Sequence, residues 1–126
     1  MRPLVLWLLL APVALVGCTS PPPTGGVEGT VWIGPTCPVV QNPPDPECDD
    51  RRFETPLVLV RAGTDEVAGR FSSDANGTFL VPAHPDTYEI RRPPDAGQPP
   101  SCHAGPFQVE ADRYTHVTVT CDSGIR

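Results

Sequence analysis

From residue 27 to the C-terminus, apolar and polar side chains alternate with a period of two in short runs, and none keeps a helical period for long. Val27, Val31 and Ile33 alternate with Glu28, Thr30 and Trp32, which predicts a first strand with one inward face. The segment PLVLVR, Pro56 to Arg61, is apolar on both faces and predicts a central strand covered on both sides. After a turn at Gly63 to Asp65, EVAGRFSS puts Val67 and Phe71 on one face with Ala68 and Arg70 on the other. In the next turn, SDANGTF, Asp74 supplies a side-chain cap while Asn76 and Gly77 take the positive φ of a tight reversal, and Phe79 and Val81 then point inward.

DTYEIRR places Tyr88 and Ile90 on the core face, and PPDAGQPPSCHAGP predicts a long connection without regular structure. Phe107 with Val109, a turn near Ala111 and Asp112, and Val117 with Val119 complete the pattern. Seven strands in about 95 residues predict an all-β, two-sheet sandwich.

Ahead of residue 27 the pattern changes. Arg2 precedes an apolar stretch, Leu4 to Val16, broken only by Pro12. That is the layout of an export signal over residues 1–17, short of the about 20 apolar residues a spanning helix needs. Its end, Leu15, Val16, Gly17, Cys18, resembles the lipobox of bacterial lipoproteins. The resemblance implies cleavage before Cys18, acylation of its thiol and attachment to a membrane, each buried methylene contributing about 0.8 kcal/mol. Thr19 in place of an Asp implies the outer membrane if the organism has one. The polar, Pro- and Gly-rich residues 18–26 then form a tether, leaving residues 27–126 as one domain with one modest core.

Composition narrows the chemistry. The formal net charge is −6, which disfavours nucleic acid as a partner. All nine cationic Lys or Arg residues are arginine, so Schiff-base, P-loop and Ser/Lys chemistry and Lys–Asn isopeptide crosslinks are excluded. Besides Cys18 there are Cys37, Cys48, Cys102 and Cys121, and an even number in an exported chain reads as disulfides. Three pairings are open. Cys37 with Cys48 is favoured because it closes a Pro-rich loop for about 3 kcal/mol, leaving Cys102 with Cys121. A four-cysteine metal site is disfavoured, since there is no CxxC pair.

The register of the last two strands tests that second pairing. Carried back without interruption, Phe107 opposite Val117 and Val109 opposite Thr115 would set Cys121 against His103, with Cys102 on the other face. Pairing therefore requires an irregularity, and Gly105 and Pro106 stand where it would lie.

GVEGTV, PLVLV, SSDANGTFLVP, HPDTYEI and FQVEADRYTHVTVT together resemble the carboxypeptidase regulatory-like domain. The resemblance implies a seven-stranded transthyretin-like (prealbumin-like) Greek-key β-sandwich. His84 and Asp86 depart from the family's P-P-G-T-Y turn, and the segment between Ile33 and Pro56 is longer than a family loop. The same fold hosts hydroxyisourate hydrolase, but the ending CDSGIR lacks that enzyme's Tyr-Arg-Gly-Ser motif.

Within this frame, catalytic signals are weak. Asp74 and Asn76 resemble half a calcium loop without its distal Glu. His84, His103 and His116 fall in a turn, a loop and a polar strand face, while Ser72, Ser73 and Ser101 sit in no nucleophile motif. The expectation is a lipid-anchored envelope protein without enzymatic activity, cofactor or metal. It would act as a binding or structural accessory module toward an envelope protein or carbohydrate. Alternatives are a protease inhibitor presenting the Cys37 to Cys48 loop with its acidic flank DPECDDRRFE, and a metal-binding protein or hydrolase using the histidines.

Overall fold

The computed structural model describes Pro12, residues 21–39 and residues 42–125, so the expected export signal, Pro12 apart, and Cys18 lie outside the described residues. The strands are β1 (Gly25–Gly34), β2 (Arg51–Arg52), β3 (Pro56–Arg61), β4 (Val67–Ser72), β5 (Thr78–Ala83), β6 (Asp86–Arg91), β7 (Ser101–Val109) and β8 (Tyr114–Asp122). Single 3-10 turns span Pro46–Cys48 and Pro94–Ala96. The strands form one curled mixed sheet in the order β2-β1-β8-β7-β6-β3-β4, with β5 also on β1. Among the described residues only the β1–β8 ladder is parallel.

The period-two pattern explains the core. Val27 and Val31 on β1, Leu57 and Leu59 on β3, Ile90 on β6 and Val119 on β8 are at most 1% exposed, and the inner faces of the curled sheet close on them. Between Val27 and Val31 stands Gly29, where a Cβ would lie 1.7 Å from the Val117 carbonyl oxygen. The Phe79 ring, opposite Gly29 in the ladder, covers the gap and packs 5.3 Å from the Phe71 ring.

The structure departs from the sequence expectations at four places. Among the described residues there are eight strands, not seven: the segment after Ile33 returns as β2 along the stretch of β1 beyond β5, where Trp32 and Ile33 would otherwise lack ladder partners on that edge. A bulge between Leu59 and Val60 puts Val67 opposite Val60 on the outer face, while Phe71 stays opposite Leu57 on the core face. In the Asp74 turn only Gly77 takes a positive φ (+69°), and Asn76 does not. The expected long connection is shorter, because β7 begins at Ser101 and continues through Gly105 (φ +103°).

That last residue also decides the β7 register. Cys102 and Ala104 are buried on even positions, whereas Val109 is buried on an odd one, and the β6–β7 ladder shifts between Tyr88 and Ile90 across from Gly105 and Pro106. Among the described residues, β7 pairs with β8 only from Ser101 to His103, so Phe107/Val117 and Val109/Thr115 are not ladder partners. β7 follows β6 on both sides of the bend, and beyond it the Thr115 hydroxyl donates to the Gln108 carbonyl at 2.7 Å.

The register gives the molecule two ends. Gly25 lies opposite Ala83, with Tyr114 beside Gly26, Val109 opposite Asp86, and the Arg61 to Glu66 hairpin alongside. The opposite end holds Gly34, β2, the Asp74 turn, residues 92–100 and the end of β8.

Candidate interaction surface

The loop leaving β1 is stapled at its base. Cys37 and Cys48 are disulfide-bonded with Cα atoms 5.2 Å apart. Pro46 starts the 3-10 turn, and the Asp45 carboxylate accepts from the Glu47 N–H at 2.9 Å, a side-chain cap that fixes the turn's entry. The Arg51 guanidinium donates to the Glu47 carbonyl at 2.9 Å, and the Thr36 hydroxyl reaches the Glu47 and Asp49 carbonyls. Asp45, Glu47, Asp49 and Asp50 nevertheless stay exposed, as does Val39, so the staple holds an acidic rim around a small hollow of about 210 Å³ between Pro35, Val39 and Pro44.

Beside the loop, the Arg52 guanidinium lies 4.5 Å over the Trp32 ring, a cation–π contact. Arg52 also donates to the Asn76 carbonyl at 3.5 Å. Gly77 is required in this corner: besides its positive φ, a Cβ there would lie 2.9 Å from the Arg52 Cβ and from the Val31 carbonyl oxygen. Asp74 completes the turn. It accepts from the N–H groups of Asn76 and Thr78 at 2.9 Å and from the Thr78 hydroxyl at 2.6 Å. The Thr78 hydroxyl and N–H hold the Asp74 carboxyl below its ordinary pKa, with the Asn76 N–H adding to the effect. Its oxygens are thus engaged by donors of its own turn, which accounts for the Asp and Gly of this segment without an ion.

The residues weighed for catalysis are dispersed. His103, on β7, faces outward across from Arg91 and Thr120, and His116, on β8, faces outward beside Glu28. His84 is exposed, its carbonyl accepting the Tyr88 hydroxyl at 2.7 Å. Ser73 is 3% exposed, and its hydroxyl donates to the Phe53 carbonyl at 2.7 Å while accepting from the Thr55 N–H at 2.9 Å, a strut between strands. Among the described residues no three His, Cys, Asp or Glu side chains are grouped to hold a metal ion. Cys102 and Cys121 are joined on the β7–β8 ladder, both nearly fully buried.

Arg52 belongs to the charged segment DPECDDRRFE, whereas no motif in the sequence marks Trp32 or the arginines of β4 and β6 as a site. The one available signal was PLVLVR itself, since a strand apolar on both faces requires a cover for its outer face. Among family models, curated proteins and solved structures, no significant match to the chain is found.

Proposed function

We propose that the chain is an exported lipoprotein, held at the cell envelope by acyl chains on Cys18, whose non-catalytic β-sandwich presents its stapled end to an envelope protein or carbohydrate. The observation that carries this reading is the placement of the two chain features at opposite ends. The Pro-rich leash enters β1 at Gly25, whereas the Cys37 to Cys48 loop leaves β1 beyond Gly34. A leash of six residues after Cys18 reaches at most about 20 Å, so the Gly25 end faces the bilayer. That end carries Glu66, Asp86, Glu110 and Asp112 against Arg61 and Arg113, a surface that stands off anionic headgroups. Two disulfides accord with an oxidising compartment.

The transthyretin-like reading of the sandwich draws support from the strand order. β5-β1-β8 and β4-β3-β6-β7 make two layers, β1 runs parallel to β8, and the first residues of β7, paired with β8, join the layers. On this reading β2 and the stapled loop are an insertion after the first strand. If the organism has an outer membrane, Thr19 after the cysteine favours it as the destination.

Metabolic labelling with a clickable fatty acid tests the anchor. The wild-type chain takes up label and partitions with membranes, while Cys18→Ser takes up none and accumulates as precursor or in the soluble fraction. A wild-type chain without label overturns the reading.

A further inference from the structure

Val58 and Val60 point away from the core, outside its cluster of packed residues, yet each is only 3% exposed. What covers Val58 is largely arginine, whereas Val60 lies between Val67 on β4 and Glu89 on β6. In one cross-strand row Arg70 on β4 and Arg91 on β6 flank Val58, and side chains of such a row share a face. With Arg92 and Val67 they enclose a cavity of about 490 Å³ over the two valines.

The three guanidiniums are not equivalent. Arg91 is committed to carboxylates, donating to Glu89 at 2.7 Å and to Asp65 at 3.1 Å, which pushes its pKa up. Arg92 is held in place by neutral oxygens: the Thr55 hydroxyl at 2.9 Å and the carbonyls of Ala96, Gly97 and Pro100. Those bonds fix its plane and leave its charge unneutralised. Arg70 has no hydrogen bond or ion pair among the described residues, although Asp95 lines the adjoining cavity on its other side. Arg70, Arg91 and Arg92 thus line the cavity with one carboxylate, Asp65, while Glu89 holds Arg91 from outside the lining, in a chain whose net charge is −6. Arginine stems covering a valine floor would suffice to exclude water. They do not require one guanidinium to be pinned by carbonyls beside a second without a partner.

The geometry points to a binding site for a small organic anion. Its carboxylate or phosphate head would meet the Arg70 guanidinium and the one N–H that Arg92 leaves free, and its short hydrocarbon part would lie against Val67 and Pro94, above Val58 and Val60. Guanidinium matches either head through paired N–H groups, and charge-assisted bonds of this kind are roughly twice as strong as neutral ones. This goes beyond the proposed function, at a surface other than the stapled loop, and is independent of the anchor.

The test is a titration of the full chain in detergent micelles, with valine methyl groups observed by NMR. Probes are butyrate, butyl phosphate and 1-butanol. Butyrate or butyl phosphate shifts the methyls of Val58, Val60 and Val67 saturably, the tighter of the two assigning the head group, and 1-butanol at equal concentration does not. Arg70→Gln weakens the binding by about tenfold, while Arg113→Gln, at the other end of the molecule, leaves it unchanged. Methyl shifts produced equally by 1-butanol, by none of the probes, or undiminished in Arg70→Gln would overturn the site. Label on Cys18 would be untouched by any of these results, so failure here and failure of the anchor are separate outcomes.

Discussion

Cys102 on β7 and Cys121 on β8 face each other directly across the ladder, their Cα atoms 4.0 Å apart. An unbroken strand could not provide both this pairing and the burial of Val109, because one residue of slip reverses every side chain. The bend at Gly105 reconciles them: β7 stays on β6 on both sides of it and is paired with β8 only before it. The disulfide therefore ties together the two strands through which the halves of the curled sheet are joined.

Replacing Cys102 and Cys121 together by Ala is expected to cost about 2 to 5 kcal/mol. Replacing Cys37 and Cys48 leaves the sheet intact and loosens only the exposed loop. Thermal melts of the two double variants, with hydrogen exchange of the strand amides, distinguish them. Equal exchange from β7 and β8 in both would contradict the assignment.

Phe79 fills the space over Gly29 and stacks against Phe71. Phe79→Ala is expected to lose about 3 to 5 kcal/mol, enough to unfold a domain of marginal stability. Denaturant unfolding of the variant measures this, and an unchanged midpoint would mean the strand phase is wrong.

Tyr88 is 2% exposed, and its hydroxyl donates to the His84 carbonyl. Burial, then the charge of Asp86, raises its pKa above the ordinary 10.0, with Arg61 opposing. The protonated form is favoured in the folded state, so its contribution is fully present below pH 10 and is lost as pH rises through the raised value. Tyr88→Phe should lose stability at neutral pH through the missing hydrogen bond, and should flatten the alkaline limb of a pH-stability profile. A variant with the wild-type alkaline limb would place that sensitivity elsewhere.

The β-class, the inward faces of β1, β3, β5, β6 and β8, and the need for a break before Phe107 were legible in the sequence, because one buried face imposes a period of two. What escaped was whatever depends on two segments meeting. Arg51 and Arg52 read as loop charges and become β2 only because β5 stops short of Trp32. Val67 and Phe71 share a parity in the sequence and lie on opposite faces in the sheet, since a bulge leaves no mark in alternation. The arginine cavity was hidden for a related reason: Arg70, Arg91 and Arg92 come together only through the β4-β3-β6 ladder.

The central claim is that residue 18 is the first residue of the mature protein and its point of attachment. Mass spectrometry of the N-terminal peptide from membrane-extracted protein tests it most directly. The account predicts a peptide beginning at Cys18 and carrying a diacylglyceryl group on sulfur; a peptide beginning elsewhere, or at Cys18 with an unmodified thiol, would contradict it.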